Sequence, residues 1–238
     1  MKLIWTYSPK LNRSKKISDD DMLKLFYHSI ECGKKFHPTC VYTDTPEKFV
    51  GKVDEIVELP NDFEIYFLDD IKFYVIENEL DDYTLIDGDL FIDSPIEKVS
   101  PNLGIEGYVP HRAGIHYKKY NDILEKEGVE KIIPYWQSSL GYFNLGLIQV
   151  NDFKHQEFIS DYNKLKKFYK NKIEGIYFNR KDECVEMSLC TYFFTLFNIH
   201  HRNKQIKLSK ESYVHLCGPS ETSKINFIKK LSSTESII

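Results

Sequence analysis

Two rhythms of hydrophobic and polar positions take turns along the first part of the chain. Lys2–Tyr7 (KLIWTY) is a short apolar run without helical spacing and predicts a buried first strand. A polar loop containing Pro9 follows as far as Ser18. Ser18 and the acids Asp19, Asp20 and Asp21 suit a helix start, because a serine oxygen caps exposed N–H groups and carboxylates favour the positive end of the helix dipole. Met22, Leu25, Phe26, Ser29 and Ile30 then recur at helical spacing up to a stop at Gly33. Thr39–Thr43 predicts a second strand, ended by Asp44-Thr45-Pro46, and 55–59 a third. Phe63, Phe67, Ile71, Tyr74 and Val75 share one face of a helix expected over 62–79, and Tyr83–Ile86 is a strand that runs into Asp87.

The remainder is less regular. Segments 102–109 and 140–150 read as strands with a helix near 117–127 between them; helical patterns return at 152–170 and 182–197. A short strand at 212–216 precedes a terminal helix from about Ser220. The β-α-β-α-β alternation predicts an α/β fold with a mainly parallel central sheet flanked by helices. Ligands of such sheets collect beyond the carboxyl ends of the strands, where Asp87-Gly88-Asp89 would stand. No repeat, low-complexity tract or interdomain linker interrupts the 238 residues, so one domain is expected.

Composition narrows the class. With 42% hydrophobic and 29% charged residues the chain can bury a core, which excludes wholesale disorder. The 16 Tyr and 16 Phe leave rings to spare for lining a pocket or stacking on a base or sugar. A formal charge of -4 argues against a nucleic-acid binder, and the basic run 164–170 reads as a solvated helix face. Five cysteines at irregular spacings, without a Cys-x-x-Cys pair, point to a reducing compartment. No stretch resembles a signal peptide or approaches the roughly 18 apolar residues of a membrane span, so a cytoplasmic protein without a transmembrane segment is expected.

Asp87-Gly88-Asp89 is the first candidate for chemistry. In an extended backbone its two carboxylates fall on one side, and Gly88 lets the chain turn or approach a ligand closely. Paired oxygen anions suit a hard cation, Mn²⁺ or Mg²⁺, that keeps positions open for phosphate oxygens. Asp-Gly is equally a common surface-turn signal. Two later segments stand out: Phe143-Asn144-Leu145-Gly146, within an apolar run, and His215-Leu216-Cys217-Gly218 after the last strand.

The order of elements, with these three motifs, resembles the GT-A glycosyltransferases, especially the families numbered 8 and 32 that carry a D-x-D and a late histidine. The resemblance covers most of the chain. It implies a nucleotide-binding half at about 1–93 and a sugar and acceptor half at about 94–238. It puts the nucleotide on Trp5, Tyr7 and Ser8 after the first strand and on Asp44 after the second, with Lys72 facing the donor. It makes Asp87, Asp89 and His215 the ligands of the cation, Mn²⁺ or Mg²⁺. It sets Asn144 and Gly146 beside the sugar, and Gly218 and Lys224 near the diphosphate. Lys224 stands in for the family's Lys-Pro-Trp, which this sequence lacks. Glu183 and Glu186 fall where such enzymes place an acid near the acceptor, although acids in a helix's first turn are favoured by its dipole as well.

The implied reaction moves a sugar from a nucleotide-diphosphate donor, UDP-linked by preference, to a hydroxyl of a glycan, lipid or protein. Two other functions remain open on the sequence: a nucleotidyltransferase, although the basic loop 8–16 has none of the glycines usual there, and a catalytically inactive nucleotide- or sugar-binding protein of the same fold.

Overall fold

The computed structural model describes residues 1–11, 16–65, 70–98, 103–109, 125–126, 128–131, 142–150, 155–172, 206–207, 213–216 and 221–235. In chain order these form β1 (Lys2–Tyr7), α1 (Asp19–Lys34), β2 (Thr39–Thr43), β3 (Glu55–Glu58), α2 (Asp70–Asn78), β4 (Tyr83–Ile86) and β5 (Leu90–Ile92). There follow β6 (Leu103–Val109), β7 (Tyr142–Val150), α3 (His155–Lys172), β8 (Ile206–Lys207), β9 (Tyr213–His215) and α4 (Glu221–Glu235).

One seven-stranded sheet has the order β3-β2-β1-β4-β7-β6-β8. Strands β3, β2, β1 and β4 are mutually parallel, β7 runs against both β4 and β6, and β8 is parallel to β6. The mixed α/β architecture with a mainly parallel sheet is therefore as the sequence pattern predicts. All residues of β2 and β4 are buried, the signature of strands covered on both faces. A second, two-stranded sheet pairs β5 with β9.

Local chemistry sets the elements that frame the edge of the sheet. Ser18 caps α1, its hydroxyl oxygen accepting the Asp21 N–H at 3.1 Å. Gly33, near the end of that helix, lets it lie close on β1: a Cβ there would sit 2.6 Å from the Trp5 ring. Trp5, Leu3, Ile30, Val41, Phe49, Ile86, Leu90 and Leu147 pack into one core beneath the strand ends.

Several expectations are corrected. Of the helix expected over 62–79, residues 62–65 are not helical, 66–69 lie outside the described residues, and α2 is described from Asp70. Pro60, Asn61 and Asp62 form a turn closed by the Phe63 N–H on the Pro60 carbonyl at 2.9 Å, and this turn chemistry overrides the helical spacing. Phe63 still reaches the Tyr74 ring, 5.0 Å between centroids. β3 stops at Glu58, and β5 and β8 are strands the sequence pattern does not announce. The helices expected near 117–127, apart from 125–126, and over 182–197 lie outside the described residues. Among the described residues no helix is long and apolar enough to cross a membrane.

Candidate functional site

Parallel register delivers three candidate residues to one edge. Tyr7 pairs with Thr43 and Trp5 with Ile86, so Ser8, Asp44 and Asp87 each leave the sheet at the carboxyl end of a strand. The edge carries carboxylates in two groups.

The first group is Asp87-Gly88-Asp89. The Asp87 N–H donates to the Gly146 carbonyl at 2.8 Å, and the Leu90 N–H donates to the Asp87 carbonyl at 3.1 Å, closing a tight turn. Residues 87–90 thus form a turn rather than the extended run expected here. Gly88 is required by packing: a Cβ would fall 2.3 Å from the Phe26 ring of α1. Each carboxylate has its own lysine. Lys72 Nζ of α2 stands 2.7 Å from Asp87 Oδ1, and Lys224 Nζ of α4 contacts Asp89 Oδ2. The Lys72 side chain is only 8% exposed against 33% for Asp87, so this pair reaches from the interior to the site.

Lys72, expected to face the donor, has its ammonium buried against Asp87. Trp5 is corrected. It is completely buried, its indole N–H donating to Ser29 Oγ at 2.8 Å, so it presents no surface to a nucleotide. Ser29 itself escaped the sequence reading as a site residue. Its hydroxyl donates to the Leu90 carbonyl, so Trp5, α1 and the Asp-Gly-Asp turn are joined through one buried oxygen. A serine in the buried stripe of α1 is the signal, since a buried hydroxyl needs partners.

β9 brings in the late histidine. It lies antiparallel to β5 with Leu90 opposite His215, and the Leu216 N–H donates to the Asp89 carbonyl at 3.0 Å. The backbone of His215 is therefore beside the carboxylate turn although the two are far apart in sequence; its side chain lies outside the described residues. The same holds for Asn144, whose backbone pairs with Gly107 in the β6–β7 ladder. Gly146, expected to let the backbone approach a sugar, is buried and gives its carbonyl to Asp87. Glu183, Glu186 and Gly218 lie outside the described residues.

The second group surrounds Asp44. Its Oδ2 accepts from Ser8 Oγ at 3.0 Å and from Lys10 Nζ at 3.0 Å, while its buried Oδ1 has no hydrogen-bond partner among the described residues. A hollow opens beside it, lined by Thr6, Tyr7, Ser8, Leu11, Asp19, Met22 and Phe26. Tyr7 packs edge-on against Phe26 and Phe49. Burial first, then the nearby Asp19, Tyr27, Asp44 and Asp20, pushes its phenol up to about 12, so at neutral pH it remains a neutral hydroxyl.

Among the described residues no group of three or more His, Cys, Asp or Glu side chains converges as a metal cluster. The two carboxylates of one turn are nonetheless hard oxygen donors of the kind Mn²⁺ or Mg²⁺ prefers. Lysines already engage both, so a cation would enter by exchange with an ammonium.

No protein-family model and no curated protein matches this sequence. Solved structures do resemble it. An active-site mutant of LgtC superposes over 98% of this chain and 96% of its own, with a TM-score of 0.51 at 10% sequence identity. A looser likeness, TM-score 0.42 and 11% identity over 88% and 85% of the two chains, is to the apo form of mouse xyloside xylosyltransferase 1. The first shows the architecture alone: this chain has the GT-A fold.

Proposed function

We propose that this protein is a cation-dependent glycosyltransferase that moves a sugar from a nucleotide-diphosphate donor, UDP-linked by preference, to a hydroxyl acceptor. One observation carries the reading: the Leu90–His215 register lays the late histidine strand alongside the Asp-Gly-Asp turn, at the strand ends of a GT-A fold. Asp87 and Asp89, with His215, would hold Mn²⁺ or Mg²⁺; such a cation, when bound, supplies positive charge to the leaving diphosphate. Tyr7 and Ser8 line a hollow that receives the nucleoside, with Asp44 next to it. Lys224 lies within reach of the same diphosphate, and Asn144 orients the sugar. Glu183 or Glu186 handles the acceptor hydroxyl. An acceptor on a glycan, lipid or protein fits this scheme equally.

A second reading has its own support. Both carboxylates already carry an ammonium partner, which would suit a nucleotide- or sugar-binding protein without turnover. Calorimetry with UDP in the presence and absence of Mn²⁺, followed by hydrolysis and transfer assays over a panel of nucleotide sugars, separates the two. Mn²⁺-dependent UDP binding with turnover supports the transferase, and binding without turnover supports the silent protein. No UDP binding at millimolar concentration would overturn both.

A further inference from the structure

The lysines on the two carboxylates are not equivalent. Lys72 belongs to α2, and its side chain is 8% exposed. That helix is pinned at Asp70, whose buried carboxylate receives Lys166 Nζ at 2.8 Å and the Tyr162 hydroxyl at 2.5 Å, both from α3. Tyr162 also stacks flat on Phe73, 3.5 Å between centroids. Lys72 therefore sits on a fixed support with little room to leave. Lys224 is different: its side chain is 24% exposed and projects from α4 to Asp89. The helix is anchored one turn further on, where Phe227 stacks on Phe91 at 4.8 Å and meets the His28 ring at 5.5 Å, with Ile228 buried beside them. The backbone of α4 is thus held while the long side chain of Lys224 remains able to change partner.

Charge then decides what such a change requires. As the structure stands, the formal charges of Asp87, Asp89, Lys72 and Lys224 cancel. A divalent cation arriving alone must displace an ammonium from Asp89 and leave two like charges side by side in a part-buried place. A diphosphate arriving alone meets the carboxylates. Arriving together, the cation takes the carboxylate oxygen and the diphosphate takes the ammonium, so every charge again has a partner.

We infer that Lys224 holds the place of the cation on Asp89 and gives it up to an incoming diphosphate, so that cation and nucleoside diphosphate bind as a coupled pair. The inference rests on the site reading proposed above and adds to it an energetic role for one side chain. Coupling of this kind is reciprocal: whatever factor UDP contributes to Mn²⁺ affinity, Mn²⁺ contributes to UDP affinity.

The test titrates Mn²⁺ into the full chain and follows the free ion by electron paramagnetic resonance, with and without UDP. It compares wild type with Lys224→Met, Lys224→Gln and Lys224→Arg. In wild type, UDP should tighten Mn²⁺ by about tenfold or more. In the two neutral variants Mn²⁺ alone should bind more tightly, by about tenfold, and the enhancement by UDP should fall to about threefold or less. Lys224→Arg, which keeps the charge, should restore the wild-type pattern. Folded neutral variants with wild-type Mn²⁺ affinity and full UDP enhancement would overturn the inference and leave the site reading standing. A wild-type protein that binds UDP equally with and without Mn²⁺ would overturn both, so the two failures are distinct. Should Lys224→Met not fold, Lys224→Gln decides the matter by the same criteria.

Discussion

Ser29→Ala is the substitution whose cost the structure specifies most directly. Ser29 is completely buried, and its oxygen accepts the Trp5 indole N–H at 2.8 Å while its own proton goes to the Leu90 carbonyl. Alanine keeps the helix and nearly the volume, but it strands one donor and one acceptor away from water. Each orphan costs about 1–3 kcal/mol, and the alanine's slightly better helix propensity offsets only a few tenths. A net loss of about 2–5 kcal/mol follows, which for a chain of this size lowers the melting temperature by roughly 4–20 °C. Urea unfolding followed by far-ultraviolet circular dichroism would measure it, with an unchanged slope showing that the denatured state is not involved. Trp5→Phe removes the donor, so the double variant should recover part of the loss when compared with the sum of the single ones. A loss below about 0.5 kcal/mol for Ser29→Ala, or strict additivity with Trp5→Phe, would refute the reasoning that this oxygen ties β1 and α1 to the Asp-Gly-Asp turn.

Asp87→Ala should abolish transfer and also lower stability by about 1–3 kcal/mol, because it takes this carboxylate from a buried Lys72 while Asp87 itself is only part-buried; thermal unfolding beside a transfer assay checks both, and unaltered turnover would sink its assignment to the cation. His215→Ala should weaken Mn²⁺-dependent UDP binding by about tenfold and flatten its dependence between roughly pH 5.5 and 7.5, since a ligating imidazole must be neutral; unchanged affinity and pH profile in a folded variant would remove it from the ligand set. Burial holds both His28 and His37 below the ordinary histidine range, and His37 Nε2 accepts the Ile96 N–H at 2.9 Å, which needs the neutral ring. The unfolded chain then binds more protons as pH falls through about 6.5, so stability is full above that value and declines below it. His28→Leu combined with His37→Gln should flatten the urea midpoint measured from pH 7.5 to 5.5, and an undiminished slope would contradict this account.

The legible parts of the fold are those fixed by neighbours in sequence. Ser18 and three acids mark the start of α1 locally, and KLIWTY and YTLI are apolar runs whose burial needs no knowledge of what covers them. β5 and β8, at three and two residues, are too short to show a period and exist as strands only through β9 and β6. That 62–65 stand outside α2 is legible in principle, because Pro60-Asn61-Asp62 is a turn signal that competes with the helical spacing of Phe63 and Phe67. Trp5 shows the opposite error: the apolar run alone places it in the core, and only the family resemblance drew it toward the nucleotide.

The site divides along the same line, and the division bears on how it would work. That Asp87 emerges at a strand end follows from the β-α-β pattern; which lysine reaches it does not, because Lys72 and Lys224 meet the turn only through the packing of α2 and α4. The turn itself is held from every side: Asp87 N–H on Gly146, Leu90 carbonyl on Ser29, Asp89 carbonyl on Leu216, and Phe26 against Gly88. A backbone fixed in this way gives a ligand little to remodel, so adaptation falls to side chains. Of the two ammonium groups already on the carboxylates, the more exposed is Lys224. On the proposed reading, the affinity of this turn for a cation would therefore be set less by the carboxylates, which the sequence displays, than by the ease with which that one lysine finds another anion.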